Sequence, residues 1–344
     1  MSEFLRHLFW QPRGCVSSLS DLRAAHGVLA GRDVTAKVCG ASANGHTLTV
    51  TELADGKVIG DLRLVATSAD VVIGNVQALF GCEEPQNHYL LGRRRFRIPQ
   101  RRRGTALLLG AANSENYYAW LLESLPRWKL LRDAGYLAYD YVLLHSKAFC
   151  FQDETLDRLN VPREKRLRCN KNFVHQFDRL VVPAMPFPLR QITPWVCEWV
   201  CSLFPERSGG PERIYLSRRR AKRRRLVNEA ELEARLGRMG FVCLQPELRS
   251  VAEQAALFSA AKWVVAPHGA GLANLVFAPP GALLVELFHP DNQNQTYRNL
   301  ARACGLRYAS LVGRRTRDLA HHDDGDAEFT IEIAEILQLL SGSE

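Results

Sequence analysis

Residues 264–288, VVAPHGAGLANLVFAPPGALLVELF, put a histidine and two glycines at the end of a β-branched run and close a second apolar run on Glu286. Gly269 and Gly271 let a backbone turn sharply and approach a ligand closely. The helix pattern that follows, with Ala270 between the two glycines, offers free N–H groups and a positive dipole end. Such a turn can hold a phosphate, to which His268 adds a hydrogen bond or a charge. The same residues also suit a tight strand-to-helix turn around a packed imidazole. A second group is IYLSRRRAKRRRLVNEAEL (214–232), in which seven of the eight residues from 218 to 225 are basic. Guanidinium forks suit a diphosphate and stay charged near neutral pH. Two arginines of this loop are expected at a ligand, and the rest form a solvated basic surface. A third group is ENYYAWLLESLPR (115–127), with carboxylates at Glu115 and Glu123.

These groups need elements to position them. From residue 213 the pattern is regular: strands at 213–217, 241–245, 263–267, 282–288 and 307–312, with helices near 229–239, 251–261, 271–277 and 295–304 between them. Two helices start on capping-box spacing, Asn228 with Glu231 and Ser250 with Glu253. Alternating strands and helices predict a parallel, doubly wound sheet, which binds ligands beyond the carboxyl ends of its strands. Arg218 and His268 each follow a strand of that sheet and should meet on one edge. Helical spacing over 113–134 is interrupted by Pro126, which kinks or splits the helix; Asn113 or Ser114 can cap its start. YDYVLLH and DRLVVPA read as buried strands, DETLDRLNVP as a short helix, and residues 1–105 as extended segments with turns. Proline-rich 183–195 and Gly/Pro-rich 204–213 are breaks. The expected division is 1–203, with a β-rich beginning, and 204–344.

Composition narrows the classes. With 47% hydrophobic and 24% charged residues, the chain has the profile of a globular protein of two domains. The net charge of +9 calls for an anionic partner: nucleic acid, an acidic membrane surface or a phosphorylated substrate. No run reaches the roughly 18 apolar residues of a membrane span, and the first residues lack a signal-peptide pattern. The expectation is a cytoplasmic protein, with peripheral contact at the inner face of an anionic plasma membrane as an extension of it. The nine cysteines form no C-x-x-C pair and are expected to pack as small hydrophobes, Cys201, Cys243 and Cys304 among them, not to bind zinc.

Four linked motifs, ENYYAWLLESLPR, YLSRRRAKRRRLVNEAEL, the segment 250–288 and QTYRNLARACGLRY (295–308), resemble glycosyltransferase family 61 over roughly 105–312. The resemblance implies an α/β GT-B fold, two Rossmann-like domains facing across a cleft. It implies inverting transfer from a nucleotide sugar, with no cofactor and no D-x-D metal site. A bacterial member acting in capsular or exopolysaccharide assembly is the expected setting, with a glycan or lipid-linked glycan as acceptor. By position it makes Arg218, Arg225, Asn228, Glu253, Gln254, His268, Gly269, Ala270, Gly271, Asn274 and Glu286 donor-side candidates, and Asn116, Tyr117 and Glu123 acceptor-side ones. Asn228 and Glu253 also read as helix caps, and Glu286 can take ribose hydroxyls. The family commonly has histidine where Ala119 stands, four residues before Glu123. That leaves Glu123 as the expected base, with Glu115 as a second carboxylate better read as surface, and His268 as the other catalytic candidate. Two further readings compete: a nucleic-acid-binding protein using its arginine runs, disfavoured because no aromatics interleave with the second run, and a donor-binding pseudo-transferase.

Overall fold

The computed structural model describes residues 9–10, 14–16, 34–41, 47–62, 64–69, 71–73, 96–111, 113–170, 173–187, 191–206, 209–221, 223–316 and 328–342. The arginines at 93–95 and the acidic segment 321–326 lie outside them. The chain forms two compact units, Met1–Leu189 and Arg190–Glu344; the division falls within the proline-rich stretch 183–195. Both are mixed α/β with parallel sheet.

Unit 1 is built on β1 (Val34–Ala41), β2 (Thr47–Ala54), β3 (Lys57–Ile59), β4 (Leu64–Ala66), β5 (Gln100–Leu108), β6 (Tyr141–His145), β7 (Arg166–Cys169) and β8 (Val174–Pro183). Strands β7, β6, β5 and β8 lie side by side in parallel, and β8 then pairs antiparallel with β2 and β3. The apolar runs TALL, YVLLH and RLVVP supply its interior, where Leu108, Leu143, Phe177 and Leu180 pack with Leu53 and Leu62. These parallel strands are buried because helices cover them. Pro126 splits the helical segment as expected. Residues 119–124 form a π-helical turn in which every side chain is buried, and α1 (Arg127–Asp133) begins on Pro126 as its N-cap. The helix start is capped by neither Asn113 nor Ser114. Asn116 Oδ1 accepts from the Tyr118 N–H at 2.9 Å and the Ala119 N–H at 3.4 Å. The short helix read in DETLDRLNVP is α2 (Cys150–Arg158).

Unit 2 starts with α3 (Pro194–Ser202), followed by β9 (Arg213–Leu216), α4 (Glu229–Arg238), β10 (Val242–Leu244), α5 (Val251–Phe258), β11 (Trp263–Pro267), β12 (Leu283–Phe288), α6 (Thr296–Ala303), β13 (Arg307–Val312) and α7 (Ile333–Ser341). The five strands are all parallel in the order β10–β9–β11–β12–β13. This is the doubly wound sheet that alternating periodicity predicts. All six residues of β12 are buried, as a continuous apolar run in a central parallel strand requires. Cys243, expected to pack, is instead exposed on the edge strand β10. The helix expected near 271–277 is a 3₁₀-helix, Ala270–Phe277. The Ser250–Glu253 capping box forms, with Ser250 Oγ accepting from the Glu253 N–H at 3.1 Å and Glu253 Oε2 accepting from the Ser250 N–H at 2.8 Å. The Asn228–Glu231 box does not form: Asn228 sits at the N-cap position of α4, but its side chain makes no capping bond.

Candidate functional site

In unit 2 the strand order reverses direction between β9 and β11, because the chain moves from β9 out to β10 and then returns to the far side of β9. The crevice beyond the carboxyl ends of those two strands is the switch point of such a sheet. Arg218 follows β9 and His268 follows β11, so both stand there. The contact is close: a Cβ added at Gly269 would overlap Arg218 Nη1. Gly269 has an extended φ of 176°, open to any residue, so the arginine's approach is what requires glycine.

Arg218 is locked from two sides. Its N–H donates to Glu229 Oε1 at 2.6 Å, and its Nη2 donates to the Arg223 carbonyl at 3.1 Å. Glu229, 3% exposed at the start of α4, also accepts from the Tyr215 hydroxyl of β9 at 3.0 Å. One carboxylate therefore ties strand, loop and helix together. Burial, and then the neighbouring Arg224 guanidinium, pull the Arg218 pKa below its ordinary value. Arg224 adopts φ 53°, and the Nε groups of both arginines are buried without a hydrogen-bond partner.

His268 packs between Phe288, stacked at 5.3 Å, and Tyr297, tilted at 5.2 Å. Its Nδ1 lies 2.6 Å from Oε1 of Glu286, which is 0% exposed. Glu286 Oε2 accepts from the Tyr308 hydroxyl of β13 at 2.8 Å. Both oxygens of Glu286 are thus engaged inside the protein, and it braces His268 where the sequence suggested a ribose contact. Gln254 and Asn274 likewise turn inward. Asn274 Nδ2 donates to Gln254 Oε1 at 2.6 Å and to the Gly271 carbonyl at 3.0 Å, and Gln254 Nε2 donates to the Arg249 carbonyl at 3.1 Å. The pair fixes the turn through Gly269, Ala270 and Gly271 from behind.

Three expected donor residues stand elsewhere. The Arg225 side chain is 58% exposed and pairs with Glu328 at 3.5 Å. Asn228 spends its amide on the backbone of Ile331, donating to its carbonyl at 2.8 Å and accepting from its N–H at 3.2 Å. Glu253 is the exposed cap described above. Asn228→Ala is expected to lower the stability of unit 2 by about 1–3 kcal/mol through these two lost bonds, with nucleotide affinity unchanged; chemical denaturation and a binding titration check the two halves separately.

In unit 1, Glu123 lies in the π-helical turn, 2% exposed, with Oε2 accepting from Asn113 Nδ2 at 3.0 Å. Desolvation raises its pKa; the Asn113 bond and nearby Arg127 oppose the rise without cancelling it. Arg127 is itself fully buried, pulled down to about 10 and so still charged at neutral pH, and donates to the Gly110 carbonyl at 3.2 Å. π-Turns recur at functional positions in helices. Tyr117 packs edge-on against Phe151 of α2 at 5.4 Å, and burial pushes its hydroxyl up. Glu115 is a surface carboxylate, paired with Lys147 at 2.6 Å. Sequence reasoning missed a pair on the same sheet edge. Asp61 sits in a turn where Gly60, Asp61 and Leu62 all have positive φ, with Oδ2 3.8 Å from His145 Nε2 at the end of β6. The histidine closing YDYVLLH was the available signal. In unit 2, Glu229, Asn294, Tyr297 and Tyr308 were missed.

Residues 117–285 match the family model described as Glycosyltransferase 61. The chain is 32% identical over 140 residues to the EGF domain-specific O-linked N-acetylglucosamine transferase of Drosophila melanogaster, covering 38% of this chain and 26% of that protein. It is 36% identical over 106 residues to the protein O-linked-mannose beta-1,4-N-acetylglucosaminyltransferase 2 of Tetraodon nigroviridis, covering 29% of this chain and 18% of the relative. The chain therefore spans about a quarter or less of the length of these curated relatives. Both are animal proteins, so the bacterial, capsular type expected from the sequence is not supported. The matched segment, just under half of the chain, holds Glu123, Arg218 and His268, and over it the chain is similar to the glycosyltransferase 61 family.

Proposed function

We propose that this protein is an inverting glycosyltransferase in which unit 2 holds a nucleotide-sugar donor and unit 1 supplies the base for the acceptor hydroxyl, the two forming the GT-B pair. The observation that carries this reading is the packing of Arg218 against Gly269 at the switch point, next to the His268–Glu286 pair. Arg218 and Arg224 act on each other as like charges, and each keeps a buried Nε with no hydrogen-bond partner. A sugar nucleotide's diphosphate has the charge and the acceptor oxygens to complete them. As the sugar leaves, the diphosphate gains negative charge, and fixed cations there stabilise it most in the transition state. Single displacement also needs an acceptor to lose a proton as C1 develops oxocarbenium character. Glu123 is assigned that role: burial raises its pKa toward the range in which a carboxylate is an effective base.

The names of the relatives favour N-acetylglucosamine as the sugar and a protein-linked hydroxyl as the acceptor over a lipid-linked glycan. Transfer is tested with uridine and guanosine diphosphate sugars against O-linked sugar and peptide acceptors, following product by mass and its anomeric configuration by NMR. Binding of every donor absent, or a product of retained configuration, would overturn the reading. Because arginines supply the positive charge, transfer is expected to persist in excess chelator; activity lost there and restored by manganese would show that a metal carries the diphosphate.

One observation favours a second reading. Glu123 is almost fully buried and Ala119 stands where the family commonly has histidine, which suits a protein that binds donor without transferring it. Tight donor binding with no product from any acceptor would favour it. The arginine runs do not favour nucleic acid: Arg101 pairs with Asp55, Arg219 with Glu233 and Arg225 with Glu328.

A further inference from the structure

Within the proposed donor site, the outer nitrogen of His268 already has a partner. Asn294, in the loop between β12 and α6, sets Nδ2 3.0 Å from His268 Nε2. Which atom of that amide faces the ring follows from its neighbours. Asn294 Oδ1 lies 3.1 Å from the Thr296 backbone N–H, which can only donate, and Asn294 Nδ2 lies 3.5 Å from Asn292 Oδ1, which can only accept. The amide therefore presents its NH₂ group to the imidazole, and Nε2 must accept. The hydrogen of the ring is then on Nδ1, donated to Glu286. The flanking rings of Phe288 and Tyr297 hold the imidazole plane, and Glu286 is itself fixed by Tyr308.

This tautomer is wrong for a diphosphate, whose oxygens only accept. We propose that Asn294 is a positioning residue that holds His268 in the accepting tautomer while the site is empty. Donor binding displaces its amide, and His268 takes up one proton at Nε2 to donate to the diphosphate. The proton comes from solvent, one N–H bond forms, and the Nδ1–H to Glu286 persists, so the bound ring is an imidazolium lying on a carboxylate. The displaced amide keeps Thr296 and has Asn292 to turn to. Among the described residues, the charged and titratable groups near the ring are Glu286 beneath Nδ1, Tyr308 through Glu286, Tyr297 on one face, and Arg218 against neighbouring Gly269. A diphosphate bound against Arg218 would bring acceptor oxygens to Nε2, where the added proton meets them. The inference rests on the donor-site reading above.

The test is calorimetric titration of the full chain with uridine diphosphate N-acetylglucosamine, whose phosphates do not titrate near neutral pH. It is run slightly above neutral in two buffers of different ionisation heat. The difference in observed heat counts protons, and uptake of about one per donor bound is expected by linkage. Asn294→Ala should bind about two- to tenfold tighter, since no hydrogen bond is given up, with uptake retained. The near-isosteric Asn294→Asp accepts from Nε2–H and so protonates the ring in advance; its uptake should fall toward zero and its affinity should drop. His268→Gln should bind more weakly with no uptake. Donor binding by the natural chain without proton uptake, or with the same uptake in His268→Gln, overturns the inference and leaves the donor site standing. Failure of this and every other sugar nucleotide to bind removes the donor site, and the inference with it.

Discussion

Replacing Glu123 by glutamine is expected to lower turnover by about 10²–10⁴-fold, the usual worth of a general base, while donor affinity stays unchanged. Glutamine keeps an oxygen for Asn113 Nδ2 and fills the same volume, so packing of the π-helical turn survives and what is lost is the capacity to take a proton. The pH dependence has a defined sign. Desolvation, the largest influence, holds the Glu123 pKa above its ordinary value of 4.5. The ionised, base-competent form therefore arises only above that pH, and the acid limb of turnover should lie above the range of an exposed glutamate. Stability runs the opposite way. A carboxyl whose pKa is raised by folding stabilises most below its unfolded pKa, and that contribution is lost as pH rises through the folded value. Glu123→Gln should thus be more stable relative to the natural chain at high pH than at low. Turnover near that of the natural chain would remove Glu123 from the chemistry, and retained donor binding in the same variant would keep the two units' roles separate.

Arg218→Ala is expected to weaken nucleoside diphosphate binding by about ten- to a hundredfold, the range for hydrogen bonds to charged groups of about 1.5–3 kcal/mol. The corresponding nucleoside should lose little. The contrast matters because Arg218 also packs against Gly269: a general collapse of the turn would weaken nucleoside and diphosphate alike, and that result would sink the phosphate reading. His268→Ala should behave in the same direction. The double variant should fall short of the sum, because Arg218 packs against Gly269, the neighbour of His268, and the two residues are expected to share a ligand.

The parts of the structure legible in sequence were those written in local period. Strands β9, β11, β12 and β13 lie within a residue of their apolar runs, the Ser250 capping box forms as spaced, and Pro126 breaks its helix. The convergence of Arg218 with the His268 turn was legible too, because parallel topology alone brings two strand ends to one edge. What escaped was the direction of side chains in loops and the pairings between distant segments. In a run of near-identical residues no local pattern says that Arg224 has a buried Nε while Arg225 pairs with Glu328. Asn228 finds Ile331 from 103 residues away, and Glu286 meets Tyr308 across a strand pair whose register no motif records. Asn116, not Asn113 or Ser114, takes the capping role, because the helical segment begins only at residue 117.

The Asn228–Ile331 zipper bears on how unit 2 can be dissected. Phe329, 1% exposed, bridges to Leu226 and lies in the same interior as Tyr215 and Val265, while Ile336 and Leu340 of α7 seal its outer side. Residues 328–342 therefore act as a keystone: they lie a hundred residues or so beyond the Arg218 loop in sequence but are internal to the arch that carries it. Proteolysis near residue 316 should release a piece that unravels the Arg218 loop, and adding residues 328–342 back in trans as a peptide is a route to a split version of the domain whose reassembly reports on the same interior.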